Sequence, residues 1–111
     1  MRGSPVLTEA VYYILLSLIN VNHGYGIMQD AARISGGRVK LAAGTLYGAL
    51  NTLAEKKWIT AMLEEGISRK KEYLITEEGM GILKEEIRRL KELVSHGEKI
   101  MGGINDVKNC N

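Results

Sequence analysis

The sequence predicts a mainly α-helical fold that also contains a small β-hairpin. Apolar residues recur at helical spacing in three segments that end before Trp58. Residues 59–63 and 71–75 then have the pattern of two short strands, and positive charge lies in the turn between them. A helix followed directly by a basic hairpin is the arrangement of a winged helix-turn-helix. The chain then ends in a long helix with apolar residues at heptad spacing.

The first three helices are predicted from their caps and their apolar spacing. Thr8 is a favourable N-cap for a first helix that ends near Asn20, and the second helix covers residues 25–34 and ends at a pair of glycines. The third helix begins near Ala43 and ends near Lys57. The side chains expected to face the core are Val11, Ile14, Leu15, Leu18, Ile19, Ile27, Met28, Ala31, Ile34, Leu46, Leu50 and Leu53. A short strand is predicted over residues 39–41.

The last helix is predicted to mediate dimerisation. Thr76 ends the hairpin and caps this helix, whose apolar positions step by three and four residues from Met80 to Ile104. Such a stripe would be exposed on a small domain, and a second copy of the chain is the simplest partner to cover it. Packing of the helix onto its own domain is the alternative. The predicted dimer interface comprises Leu83, Ile87, Leu90, Val94 and Met101.

The chain of 111 residues is expected to divide into three parts. These are a winged helix-turn-helix domain at residues 1–76, a dimerisation helix at residues 77–104 and a disordered tail at residues 105–111. The single cysteine, Cys110, cannot form a disulfide within the chain. No signal peptide is evident, and the longest apolar segment, at residues 11–19, is shorter than the roughly 20 residues that span a membrane. We therefore expect a cytoplasmic protein that does not bind membranes.

The distribution of charge indicates where a polyanion would bind. Eight basic and three acidic residues lie between Arg33 and Lys71, a net charge of +5, although the whole chain carries only +2. A helix-turn-helix consists of two helices, and the second of the two enters the major groove of DNA. In this chain the two are the second and third predicted helices, so the third helix would enter the groove. The residues expected to contact double-stranded DNA are Arg38, Lys40, Gly44, Thr45, Tyr47, Gly48 and Asn51 around the third helix, and Arg69, Lys70 and Lys71 in the hairpin.

These residues are suited to different contacts. Gly44 and Gly48 leave the helix backbone free to approach the groove closely, and the hydroxyls of Thr45 and Tyr47 are suited to phosphates. The amide of Asn51 can pair bidentately with adenine, although a solvent-exposed asparagine is an equally good interpretation. The cationic contacts would supply affinity rather than sequence choice, and they predict a strong salt dependence.

Two sequence motifs resemble those of the PadR family of bacterial transcriptional regulators. One is Gly-Thr-Leu-Tyr at residues 44–47, preceded by His-Gly-Tyr-Gly at residues 23–26, and the other is Tyr-x-x-Thr-x-x-Gly at residues 73–79. The resemblance extends over about residues 7–93, and Trp58 stands where the family commonly has glycine. It implies a homodimeric winged-helix repressor of the compact branch, in which Thr45, Tyr47 and the basic hairpin face DNA while Tyr25 and Tyr73 support the fold.

The resemblance also implies release from DNA by a small-molecule effector. Some compact members hold flat drugs between tryptophans of the last helix, but this chain has no tryptophan there. A small apolar or aromatic effector is instead expected between the first and last helices, next to Val11, Leu15, Leu93 and Val94. A filled dimer core is the alternative.

Other classes of function have less support from the sequence. Neither His23 nor His96 has a serine or cysteine at the spacing typical of nucleophilic catalysis, and with Cys110 they lack the spacing of metal ligands. We therefore expect neither an enzyme nor a cofactor. The main alternative to DNA binding is a winged-helix module that binds other proteins.

Overall fold

The computed structural model describes residues 4–62 and 71–110, with the backbone alone for residues 104–110. This part of the chain forms α1 (Glu9–Leu16), β1 (Asn22–His23), α2 (Gly24–Ile34), α3 (Ala43–Glu55), β2 (Ile59–Met62), β3 (Glu72–Ile75) and α4 (Glu77–Cys110). The mainly α-helical winged-helix architecture predicted from the sequence is confirmed, with a sheet of three strands in place of a simple hairpin.

Helix α1 begins as predicted and ends earlier than predicted. The Thr8 side chain accepts a hydrogen bond from the backbone N–H of Val11 at 3.2 Å, which confirms the N-cap. The helix ends at Leu16 rather than near Asn20. The buried hydroxyl of Ser17 donates to the carbonyl of Ile14 at 2.7 Å, and the chain then turns away.

The small sheet has the strand order β1-β3-β2, and both pairs are antiparallel. Asn22 of β1 lies opposite Tyr73 of β3, and Ile59 of β2 lies opposite Ile75. The predicted strand at residues 39–41 is wrong, because that segment is not part of the sheet and the third strand is β1. The second predicted strand is present as β2, but only its first residue, Ile59, is buried.

The core lies between α1, α2, α3, the sheet and the start of α4. Its buried members are Ile14, Leu15, Leu18, Ile27, Leu46, Leu50, Leu53, Trp58, Ile59, Tyr73, Ile75 and Leu83. The apolar stripe predicted for α3 is therefore confirmed. Val11 and Met28 are only partly buried and pack against the edge of the core. Ile19 and Ile34 are exposed, so their assignment to the core was wrong.

Helix α4 contains 34 residues, which corresponds to a length of about 50 Å. Its cap is as predicted, because the hydroxyl oxygen of Thr76 accepts from the N–H of Gly79 at 3.0 Å. The helix continues to Cys110, beyond the end predicted near Ile104. Its first turns pack on the domain, whereas every residue from 91 to 101 is exposed. Among the described residues, no helix is both long enough and apolar enough to cross a membrane.

Candidate nucleic-acid interface

The exposed face of α3 brings together five residues that the sequence predicts to contact DNA. Leu46, Leu50 and Leu53 face the core, so the positions between them turn outward. The exposed residues on this outward face are Gly44, Thr45, Tyr47, Gly48 and Asn51. The N-cap residue of the helix, Ala42, has no side chain that could accept a hydrogen bond from the backbone N–H groups of the first turn.

The two glycines on this face are not required by the packing of the protein. Among the described residues, and apart from the backbone of the helix itself, a Cβ atom built on Gly44 or on Gly48 meets no atom within 4 Å. Alanine would stabilise an exposed helix position by roughly 1 kcal/mol relative to glycine. The described part of the chain therefore gives no packing reason for these two helix-destabilising residues, and both leave open space on the outer surface.

Tyr47, near the start of α3, lies against Gly24, the first residue of α2. The Tyr47 side chain is 45% exposed, yet it supplies the three atoms nearest to a Cβ built on Gly24. Burial of Tyr73, and secondly the charge of Tyr47, raise the pKa of the Tyr73 hydroxyl. The motif at residues 23–26 thus contacts the motif at residues 44–47.

A side-chain amide holds the turn before α2 in place. The Nδ2 atom of Asn22 donates to the carbonyl of Ser17 at 3.2 Å and to Asp30 at 3.0 Å, and its Oδ1 accepts from the N–H of His23 at 2.9 Å. A Cβ on Gly26 would lie 3.1 Å from Cγ of Asn22 and closer still to its oxygen, so glycine is needed there. Asn22 was not identified from the sequence, because its hydrogen bonds join separate elements.

Tyr25 is not buried, although the family resemblance implies that it supports the fold. It is 63% exposed in the first turn of α2, so it does not support the fold by packing in the core. Tyr73, by contrast, is buried in the core as expected. The exposed ring of Tyr25 lies one residue from Gly24 and thus close in sequence to the contact with Tyr47.

The predicted basic residues have unequal surroundings. Arg38 forms an exposed ion pair with Glu9, and the hydrogen bond and then the charge of that carboxylate raise the pKa of the guanidinium. Lys40 and Lys71 are exposed. Arg69 and Lys70 lie outside the described residues. Lys71 directly precedes β3 rather than belonging to it.

The comparisons with known proteins agree with this geometry. A family model for the PadR-like family of transcriptional regulators matches residues 14–85, which include both motifs. The chain belongs to the PadR-like family of transcriptional regulators. No curated protein sequence matches it.

Solved structures share this PadR-like fold at low sequence identity. A PadR family regulator from Eggerthella lenta is 23% identical, with a TM-score of 0.68 over 82% of this chain and 80% of its own. BpsR of Bordetella bronchiseptica, whose DNA binding is regulated by 6-hydroxynicotinic acid, is 15% identical, with a TM-score of 0.64 over 95% of this chain and 80% of its own. PadR of Bacillus subtilis, solved in complex with operator DNA, is 21% identical, with a TM-score of 0.56 over 72% of this chain and 47% of its own.

The five residues predicted for a dimer interface of this PadR-like chain differ in exposure. Leu83 is only 3% exposed and belongs to the core of its own protomer, so its assignment to a free interface was wrong. Ile87 and Leu90 are partly buried, whereas Val94 and Met101 are exposed. Exposed large apolar side chains on α4 therefore begin at Leu93, after about four turns of the helix.

The four residues predicted to line an effector pocket do not come together. Leu15 is completely buried in the core, and Leu93 is exposed on α4. Val94 lines a groove of about 330 Å³ between α1 and α4, together with Tyr12, Ile87, Leu90, Lys91, Ser95 and Glu98. Val11 instead lines a second groove, of about 340 Å³, beside Trp58 and the N-terminal segment.

A buried carboxylate joins α4 to the N-terminal segment. Glu86 is 3% exposed, accepts two hydrogen bonds from Arg89 at 2.8 Å each and accepts one from the N–H of Leu7 at 3.2 Å. The sequence analysis missed Glu86 as a structural residue. Its spacing of three from Leu83 and four from Leu90 was the available signal that it lies on the core side of the helix.

Proposed function

We propose that this chain is a homodimeric, sequence-specific DNA-binding repressor of transcription that acts in the cytoplasm. The observation that carries the proposal is the outward face of α3, where Thr45, Tyr47 and Asn51 lie beside two glycines with open space around them. This is the helix that enters the major groove in a helix-turn-helix. Membership of a family of transcriptional regulators and a fold shared with a protein solved on operator DNA support the same assignment.

The residues of the interface would divide between base contacts and phosphate contacts. Asn51 carries the amide that can recognise an adenine edge, and the hydroxyls of Thr45 and Tyr47 suit phosphate oxygens. Lys40 and Lys71 are exposed cations that suit the flanking phosphates, together with Arg69 and Lys70, whose places are expected from the sequence. Arg38 would give up its ion pair with Glu9 and bind a phosphate instead. The loss of that ion pair would cost little free energy, because an exposed ion pair contributes little to stability.

A second copy of the chain is proposed to cover the distal part of α4. Leu93, Val94, Ile100 and Met101 are between 51% and 68% exposed there. Burying these side chains against a partner helix removes apolar surface from water, which is the main driving force for such an interface. The two-fold axis of the dimer would then present two α3 helices to two half-sites of an operator.

An effector is proposed to act at the groove between α1 and α4. Tyr12, Ile87 and Leu90 give this groove an apolar and aromatic lining, while Lys91 and Glu98 lie at the same site. A small aromatic molecule fits that chemistry. A ligand bound between these two helices would change the angle between α1 and α4. BpsR, which shares the fold, is regulated by a small aromatic acid.

The proposal is tested by fluorescence anisotropy with a labelled duplex from the region upstream of the chain's own gene. We expect binding at low salt that weakens by at least roughly tenfold between 50 and 200 mM salt, because phosphate contacts release counterions. Asn51→Ala should weaken binding, whereas Asn20→Ala, on the exposed turn after α1, should not. Absence of binding at low salt, or binding that salt and Asn51→Ala leave unchanged, would favour the protein-interaction alternative.

A further inference from the structure

The ring of Tyr47 lies against Gly24, the first residue of α2. Gly24 is buried, and Cζ and Cε1 of Tyr47 lie 2.7 Å and 3.3 Å from the place that a Cβ on Gly24 would occupy. The Tyr47 hydroxyl oxygen lies closer still. Any side chain at position 24 would therefore occupy space that the tyrosine ring now fills.

The backbone on both sides of this contact is fixed by packing. Gly24 follows directly after β1, in which Asn22 pairs with Tyr73 of β3, and the Nδ1 atom of His23 accepts from the first turn of α2 at 3.4 Å. Tyr47 follows Leu46, which is completely buried. The direction of the Tyr47 ring is therefore the main conformational freedom left at the contact, and the surface of Gly24 restricts it.

We propose that Gly24 is a positioning residue for DNA recognition, because its missing side chain lets the ring of Tyr47, a half-exposed residue of the outward face of α3, lie on α2 in one fixed direction. The inference rests on the proposed function, since the direction of Tyr47 matters only if α3 contacts DNA. Gly44 and Gly48 act differently, because no side chain among the described residues lies within 4 Å of a Cβ built on either of them.

The position of the overlap determines what Gly24→Ala should do. The displaced atoms are at the far end of a tyrosine side chain, so the ring can rotate away while the backbone stays in place. Alanine is also well tolerated in the first turn of a helix. We therefore expect a folded variant in which Tyr47 points elsewhere, with DNA affinity reduced about three- to tenfold, as for the loss of one polar contact.

The test is a double-mutant cycle on a duplex that the wild-type protein binds. Gly24→Ala and Tyr47→Ala should each weaken binding about three- to tenfold, and the double variant should bind no more weakly than Tyr47→Ala alone. Gly81→Ala, at an exposed α4 glycine with open space, is the control and should bind like the wild type. Wild-type affinity in Gly24→Ala, or two losses that multiply in the double variant, would overturn the inference.

Thermal unfolding of the wild type, the two single variants of the cycle and the double variant separates this inference from the proposed function. Gly24→Ala should lower Tm more when Tyr47 is present than when position 47 is alanine, a result that needs no DNA. If Gly24→Ala does not fold, the double variant should fold again, and its failure to do so contradicts the contact. A wild-type protein that binds no DNA overturns both proposals, whereas DNA binding unaffected by Gly24→Ala overturns this one alone.

Discussion

At the scale of single residues, the backbone of Lys57 carries a conformational cost. Lys57 has a φ of 67° and ends α3 in a Schellman motif, in which the N–H of Trp58 donates to Leu53 at 3.1 Å and the N–H of Lys57 donates to Ala54 at 3.0 Å. The family resemblance places the glycine-preferring position at Trp58, but Trp58 is a buried core residue. The left-handed residue that favours glycine is Lys57.

Lys57→Gly should therefore stabilise the protein. Relief of the left-handed strain is expected to raise the free energy of unfolding by about 1 kcal/mol, measured by urea denaturation. Lys56→Gly is the matched control, because Lys56 has an ordinary helical φ of −75° and should lose stability on substitution. Equal effects of the two substitutions would contradict the strain at Lys57.

Gly79 explains the last position of the Tyr-x-x-Thr-x-x-Gly motif. A Cβ there would lie 3.0 Å from the carbonyl carbon of Trp58, closer still to its oxygen, and 2.8 Å from a side-chain carbon of Ile75. Gly79→Ala should lower the free energy of unfolding by about 2 kcal/mol or more, since backbone has to move. Gly81→Ala, two residues later with open space around it, should raise it by about 0.5–1 kcal/mol. Calorimetry that gives both variants the same sign of change would refute this assignment.

The buried carboxylate of Glu86 makes stability depend on acid. Hydrogen bonds from Arg89, and secondly from the backbone of Leu7, hold the pKa of Glu86 below its ordinary value of 4.5. A lowered pKa in the folded state means that the stabilisation is complete above that ordinary value and is lost as pH falls through the lower, folded-state pKa. The stability difference between wild type and Glu86→Gln should thus shrink below about pH 4 in urea titrations at several pH values. A difference that stays constant from pH 7 to pH 3 would contradict this role.

At the scale of secondary-structure elements, sequence periodicity predicted some elements well and failed at others for identifiable reasons. The leucine spacing of α3 and the cap at Thr76 are local features, and the structure confirms both. The end of α1 was misplaced because Leu18 and Ile19 continue the apolar pattern beyond the last helical turn. Strand β1 has only two residues, and it exists because it pairs with β3 some fifty positions later, which periodicity cannot reveal.

The candidate site was also only partly predictable. The outward residues of α3 follow directly from the position of its buried stripe, so five predicted contacts share one face. The roles of Gly24 and Glu86 depend on partners distant in the chain, which the sequence pattern does not specify. The predicted effector residues are separated because α1 places Leu15 in the core and Val11 in a different groove from Val94.

The glycines of α3 provide a prediction at the element scale. Gly48→Ala should raise the free energy of unfolding by roughly 1 kcal/mol, because the added methyl group favours the helix and clashes with none of the described side chains. The same substitution should weaken DNA binding, since the methyl group prevents the closest approach of α3 to the groove. Gly81→Ala should give a similar stabilisation without the loss of binding. A Gly48→Ala protein that is more stable and binds DNA as well as the wild type would contradict close approach at this position.

At the scale of the whole molecule, α4 determines how two protomers would associate. Val94→Asp should produce monomers in sedimentation velocity, because it places a charge in the proposed interface. The variant should remain folded, since Val94 is 56% exposed in the protomer. Leu83→Asp is the contrasting case, because Leu83 is a core residue and its substitution should unfold the domain. An unchanged sedimenting mass for Val94→Asp would place the interface elsewhere.

Selective capture of genomic DNA tests the proposed function most directly. Purified protein is mixed with sheared DNA from the source organism, and the bound fragments are sequenced and then footprinted. A dimer that presents two α3 helices predicts a few enriched sites, each with two related half-sites separated by about one helical turn or a multiple of it. Fragments that represent the genome at random at low salt, or no captured DNA at all, would contradict sequence-specific DNA binding by this PadR-like chain.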